Sequence, residues 1–239
     1  MSVLRIHRFE VVESTNDVTL GMARRGEPPG TAVVARSQLR GRGRRGRSWW
    51  DAPGESLLMS VITRPDIPLS RFCQLSFAAS LAAADLLAHH CGIAHVQLKW
   101  PNDVLAGGRK IGGVMVEVAG TEAVIGIGIN VLQRSFPGDL AQTATSVALE
   151  GGACEDVDAL IEPLAGSLLA NVETLGSHGF EDILARWRKY MWGLGERAEV
   201  LADGDKVTGV ISGVDCDGAL IVTDEADAVH RIYAADSWN

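Results

Sequence analysis

Between Gly41 and Trp50 the chain runs Gly-Arg-Gly-Arg-Arg-Gly-Arg-Ser-Trp-Trp, and six arginines fall between Arg36 and Arg47 with no acidic residue among them. By its letters the run satisfies the dinucleotide pattern GxGxxG, but that pattern works only where the glycines open an apolar helix packed on a sheet. Here Arg47, two tryptophans, Asp51 and Pro53 follow, so the dinucleotide fold is excluded on context. No GxxxxGK[ST] is present either, which excludes a P-loop. What remains is a glycine-rich loop hanging from a strand end, because the β-branched run from Thr31 to Ala35 leads into it. Glycines allow tight or left-handed turns, and interleaved guanidiniums converge on phosphate and carboxylate oxygens. Trp49 adds a face for a flat base. A solvated loop without a ligand and an RNA-binding patch are the competing readings; mutual repulsion of six uncompensated arginines favours a bound anion.

Composition narrows the class. The 239 residues are 46% hydrophobic and 22% charged, with 27 Gly, 8 Pro and 4 Cys, which suits a globular chain and not a disordered, collagenous or disulfide-stapled one. At ~100–200 residues per domain, the length allows one large domain, or one with a small companion. The net charge of -8 disfavours general nucleic-acid binding, yet one concentrated arginine loop suits a small polyanion. Cys73, Cys91, Cys154 and Cys216 lack metal-clip spacing and are expected as buried, reduced thiols. No signal peptide is expected, because Met1 to Arg8 already alternates charged and apolar residues and no apolar stretch follows. The most apolar stretch, Leu75 to Ala88, contains Asp85 and runs into His89 and His90, short of the ~18 uninterrupted apolar residues of a membrane span. A cytoplasmic protein without membrane contact is expected.

Periodicity gives the order of elements. Arg5 to Val12 alternates as a strand, and Ser14 with Asp17 three residues on resembles a capping box opening a helix that stops near Gly26. Ser56 to Thr63 is a strand, Ser70 to Cys91 a mostly buried helix, and Val96 to Trp100 a short strand ended by Pro101. Val104 to Ala106 and Lys110 to Val118 form a hairpin about Gly107-Gly108, followed by a strand from Ala123 to Val131. Helices are expected from Asp156 to Leu175 and from Gly179 to Tyr190. Beyond Gly193 to Gly195, four short strands separated by Asp/Gly turns predict a small antiparallel barrel. This gives an α+β fold, a mixed sheet flanked by helices over residues 1–192 and a small β-barrel over 193–239.

Two further motifs carry chemistry. Lys99-Trp100-Pro101-Asn102-Asp103 ends a strand, where Asn and Asp suit metal coordination or hydrogen bonds to a nucleotide; a plain turn is the alternative. Lys110, followed by Gly112 and Gly113, can approach a phosphate unobstructed. Ser14, Thr15 and Asn16 are first of all a helix cap, though hydroxyls and amides at a helix start also grip a polar small molecule. The six histidines have neither zinc-ligand spacing nor a GxSxG nucleophile beside them.

Taken together, these residues resemble one family, the biotin protein ligases, or biotin-[acetyl-CoA-carboxylase] ligases. The resemblance rests on ESTN at Glu13 to Asn16, Gln38 with GRGRRGRSW at Gly41 to Trp49, KWPND at Lys99 to Asp103, GRKIGGVMVE at Gly108 to Glu117, and GIGIN at Gly126 to Asn130. It implies a class II synthetase-like catalytic domain with an SH3-like C-terminal barrel. It also implies a two-step reaction in which biotin and ATP, with Mg2+, give biotinyl-5'-adenylate and pyrophosphate. A lysine of a biotin carboxyl carrier protein, or carrier domain of an acyl-CoA or pyruvate carboxylase, then takes the biotinyl group.

By the same resemblance Ser14, Thr15 and Gln38, with the backbone at Arg42, hold the ureido ring, and Asn16, Gly41, Gly112, Gly113 and Gly128 complete the biotin site. Arg44 binds the carboxylate and then the adenylate phosphate, Lys110 stands between carboxylate and α-phosphate, and Arg42 and Arg47 order the loop. Trp49 stacks on adenine, Asn102 and Asn130 contact the nucleotide, and Asp103 aids metal binding or positions the incoming amine. Because ESTN begins so near the first residue, a monofunctional ligase without a DNA-binding domain is expected, as a monomer or a homodimer paired through its hairpin strands. A lipoate-type acyl-adenylate ligase and a nucleotide- or nucleic-acid-binding module are the rival readings.

Overall fold

A computed structural model describes residues 3–202, 204–235 and 237–238. Seven strands form the main sheet: β1 (Arg5–Val12), β2 (Thr31–Gln38), β3 (Ser56–Thr63), β4 (Val96–Lys99), β5 (Asp103–Ala106), β6 (Arg109–Ala119) and β7 (Glu122–Asn130). Their spatial order is β1-β2-β3-β7-β6-β5-β4. Only β1 and β2 pair in parallel, joined by the crossover helix α1 (Thr15–Arg24); the other neighbours are antiparallel. The sheet is therefore mixed, as the pattern predicts.

Alternation of side chains along each strand assigns the two faces. Val33, Ile62 and Val124 pack with Leu20, Met22 and Ala23 of α1, whereas their neighbours Ala32, Val34, Val61, Ala123 and Ile125 belong to the main core on the opposite face. That face is covered by α2 (Leu75–His89) and α4 (Ile161–Ser177), with α5 (Phe180–Trp187) packed on these two helices, while α3 (Leu140–Thr143) is a single turn beside β6. Every residue of β3 is buried, as expected of a central strand covered on both sides. Leu69–His89 is long and apolar enough to cross a membrane by length and composition, but 72% of that window is buried inside the protein. It is the core helix.

A second, antiparallel sheet follows in the order β11-β10-β9-β8-β12, built from β8 (Arg197–Ala202), β9 (Asp205–Val214), β10 (Leu220–Thr223), β11 (Val229–Ile232) and β12 (Ser237–Trp238). It is docked on the first: Trp100 Nε1 donates to the carbonyl of Gly218 at 2.9 Å, and Trp238 Nε1 to that of Trp100 at 2.7 Å.

Three expectations change. Cys91 is buried, with its thiol pushed up to about 11 by burial, but Cys73 and Cys216 are exposed and Cys154 half-buried; an apolar neighbourhood in sequence does not fix which way a side chain points. Ser14 is the N-cap residue of α1, yet its side chain makes no capping hydrogen bond. The hairpin strands β5 and β6 have partners on both sides, so the outer strands of this sheet are β1 and β4.

Candidate active site

α1 covers only part of its face of the sheet. Beyond its N-terminus, glycines replace side chains on the same face of β6 and β7, and a cavity of about 270 Å³ opens there beneath the arginine loop. Gly113, Gly126 and Gly128 form its floor. A Cβ on Gly126 would lie 2.1 Å from Asn16 Oδ1, and one on Gly128 would lie 2.8 Å from the Trp49 ring. The glycines are there because Asn16 and the indole occupy the space.

One end of the cavity is neutral and polar. Gln38, the last residue of β2, accepts from the backbone N–H of Thr15 at 2.8 Å and from its hydroxyl at 3.1 Å. Gln38 thus satisfies one of the free N–H groups at the start of the helix, and Ser14 lines the cavity wall. Beneath them, buried Ser60 places its Oγ 2.7 Å from Thr15 Oγ1 and 2.6 Å from Asn16 Oδ1. Asn16 Nδ2 then donates to Glu117 at 2.7 Å. Asp51, hydrogen-bonded by Ser37 and the Gln38 N–H, has its carboxyl pushed up by burial, with those bonds opposing the shift.

The middle is cationic. Lys110, at the start of β6, donates to Asp103 Oδ1 at 2.5 Å and stands 5.9 Å from the centre of the Trp49 ring. Arg44 donates to Asn102 Oδ1 at 3.0 Å; burial, and then its neighbour Arg45, lower its pKa. Both cations face the same cavity, and the donor set about them is a poor cage for a metal. The one carboxylate beside them already holds Lys110, and no cluster of three or more His, Cys, Asp or Glu suited to a metal occurs among the described residues. At the far end stand Lys99, Trp100, Ala235 and Trp238. The Lys99 ammonium donates to the Trp238 carbonyl at 2.6 Å and lies 4.4 Å from the Trp192 ring centre, with burial lowering its pKa.

Of the residues singled out in the sequence, Ser14, Thr15, Asn16, Gln38, Arg42, Arg44, Arg47, Trp49, Asn102, Asp103, Lys110, Gly113 and Gly128 line this one cavity. Gly41, Gly112 and Asn130 do not. Gly41 abuts the Trp49 backbone, Gly112 faces the carbonyl of Gly128, and buried Asn130 donates to the Thr145 carbonyl at 2.9 Å. The arginine run is also less bare than its sequence implies. Arg36 pairs with Glu10, Arg40 with Glu13, and Arg42 with Asp17 and Glu117, acids that other segments deliver. Trp238 lines the cavity, and Ser60 and Glu117 support its wall from outside through Thr15, Asn16 and Arg42, without having been singled out. For Ser60 a signal existed, a lone hydroxyl within Leu57-Leu58-Met59-Ser60-Val61-Ile62.

The chain matches the biotin/lipoate A/B protein ligase family over residues 8–132 and the biotin protein ligase C-terminal domain over residues 193–236. It is 34% identical to the bifunctional ligase/repressor BirA of Bacillus spizizenii over 234 residues, which cover 95% of this chain and 71% of that one. It is also 34% identical to the biotin-[acetyl-CoA-carboxylase] ligase of Paracoccus denitrificans, over 88% of this chain and 90% of that one. Among solved structures, the biotin protein ligase of Aquifex aeolicus in complex with biotin and ATP superposes with a TM-score of 0.88 at 27% identity, covering 98% of each chain. With an arginine loop, a glycine floor and a paired lysine converging on one cavity, and with these matches spanning both sheets, the chain belongs to the biotin/lipoate protein ligase family.

Proposed function

We propose that this chain is an ATP-dependent biotin ligase, which activates biotin as biotinyl-5'-adenylate and transfers the biotinyl group to a lysine of a carboxylase's biotin carrier. The observation that carries the reading is the convergence of Arg44 and Lys110 on a cavity whose other end is neutral and polar. A carboxylate attacking the α-phosphate of ATP brings two anions together, and fixed cations between them lower that barrier. The match to the biotin-specific C-terminal domain favours biotin over lipoate.

In this reading Ser14, Thr15 and Gln38, with the backbone of Arg42, bind the ureido ring, which needs both donors and acceptors, and the glycine floor takes the fused rings. A biotin carboxylate oxygen forms a bond to the α-phosphorus as the bond to pyrophosphate breaks. Lys110, oriented by Asp103, and Arg44 hold the charge that gathers there. Trp49 stacks on adenine and Asn102 orders the nucleotide. The neutral carrier amine then attacks the acyl carbon, AMP leaves with the anhydride's electron pair, and the amine's surplus proton passes to solvent. Because Asp103 is committed to Lys110, magnesium enters this account as part of the MgATP substrate, held by phosphate oxygens and water. ATP and a carboxylase carrier as substrates support a cytoplasmic enzyme.

Pyrophosphate release from MgATP, run with biotin, with lipoate and with neither, tests the reading. Release that requires biotin and leaves biotinyl-adenylate on the enzyme is expected. Release with lipoate alone, or with neither acid, would overturn it.

A further inference from the structure

Arg42, in the glycine-rich run, is held in a two-carboxylate clasp. Its guanidinium donates to Glu117 Oε1 at 3.1 Å and Oε2 at 2.8 Å, and to Asp17 Oδ1 at 2.6 Å. Glu117 lies on β6 at the border between α1 and the cavity, and its Oε2 also accepts from Asn16 Nδ2. One carboxylate therefore ties three separate elements together: the loop through Arg42, the N-terminal turn of α1 through Asn16, and the sheet that carries both. Forked hydrogen bonds between guanidinium and carboxylate fix geometry as well as charge. The Glu117 side chain is 23% exposed, so water screens the clasp only in part. Arg42 Nε is buried with no partner among the described residues, which leaves the rest of the guanidinium as the loop's anchor.

In the same half of the loop Arg44 also reaches outward, but through a single hydrogen bond to the neutral Asn102 amide at 3.0 Å. Gly41 and Gly43 flank Arg42, and Trp49 N–H to Gly41 carbonyl at 2.8 Å and Gly43 N–H to Arg47 carbonyl at 2.7 Å close the loop on itself. These bonds shape the loop without fastening it to the sheet. From this geometry we infer that Glu117, seconded by Asp17, is a positioning residue that latches the arginine loop over the cavity through Arg42 and so sets how long the acyl-adenylate is retained. The inference rests on the ligase reading above. It assigns Glu117 no contact with the reacting atoms: formation of the adenylate depends on Lys110 and Arg44, and its retention on the latch.

The test uses the full chain, loaded with biotin and MgATP and freed of excess substrate. It compares wild type, Glu117→Gln, Arg42→Met and the double variant. Three quantities are read: the rate at which preformed biotinyl-adenylate leaves the enzyme, protease cleavage within the loop, and thermal stability. Glu117→Gln should still form the adenylate but release it about tenfold faster or more, the scale of a lost charge-assisted hydrogen bond, with faster cleavage in the loop. The double variant should release no faster than Arg42→Met alone, because both substitutions break one clasp. Unchanged release from folded Glu117→Gln, or additive effects in the double variant, would overturn the latch. A Glu117 that merely supports the fold would lower the melting temperature and leave loop cleavage and release alone. Should Glu117→Gln fail to fold, Arg42→Met breaks the clasp from the loop side, and unchanged release there is equally fatal. Wild-type enzyme that forms no biotinyl-adenylate would overturn the ligase reading and the latch together; normal formation with unchanged release overturns the latch alone.

Discussion

Lys110 and Arg44 are both cations, but their surroundings give them different work. Lys110 keeps a carboxylate partner in Asp103 at 2.5 Å, so its ammonium is held in place and its charge is shared. Arg44 faces the neutral amide of Asn102, and burial lowers its pKa, so it is the cation that gains more when an anion arrives. Removing either takes away a donor aimed at developing charge, which typically costs ~10²–10³ in rate where water is excluded. Lys110→Ala and Arg44→Ala are therefore expected to fold normally and to slow biotin-dependent pyrophosphate release by about that factor. Arg44→Ala should in addition raise the KM for biotin, since in this reading it holds the carboxylate before reaction. Near wild-type turnover in either folded variant would remove that residue from the chemistry.

At the scale of elements, the site exists because one face of the sheet changes character along β6 and β7, from residues that pack on α1 to glycines that leave a cavity. Gly126→Ala probes that change. Its Cβ would meet Asn16 Oδ1, forcing Asn16 off Ser60 and Glu117. Overpacking of this kind costs ~1–3 kcal/mol, and because the displaced amide belongs to the polar end of the cavity, biotin affinity should fall about tenfold or more while ATP binding changes little. Titration of biotin against the refolded variant decides it. The same elements show what the sequence makes legible. The apolar runs of β3 and β7 and the mostly apolar α2 announce themselves, because burial on both faces of a strand, or most of the way round a helix, leaves few polar positions. The last turn of β2, Arg36-Ser37-Gln38, has no such run. It is a strand because the parallel ladder with β1 extends to Val11 opposite Ser37 and Val12 opposite Gln38. β12 is two residues long and exists only through its pairing with β8. The motifs reveal the cationic centre, whereas Glu117 and Ser60 act through partners distant in sequence, so the lone hydroxyl of Ser60 in its apolar run marks a position without saying what it does.

In the whole molecule, the second sheet is wired to the first at the point where the cavity ends. Trp238 bonds through its indole N–H to the Trp100 carbonyl, accepts the Lys99 ammonium at its own carbonyl, and packs on Trp192 with ring centres 4.8 Å apart. These contacts fall on the segment that continues to Asn102 and Asp103, so the C-terminal sheet sets the position of the residues that hold Arg44 and Lys110 and, in the ligase reading, order the nucleotide. Simple support and a share in the site are thus one arrangement. Trp238→Ala should destabilise the protein by ~3–5 kcal/mol, the usual cost of removing a buried tryptophan, and should raise the KM for ATP more than that for biotin, because the polar end rests on α1, β2 and β3. Trp238→Phe keeps most of the packing but loses the bond to Trp100; it should recover most of the stability and less of the ATP affinity. Folded Trp238→Ala with an unchanged KM for ATP would show that the second sheet only buttresses the first, and the role assigned to its last strand would fall.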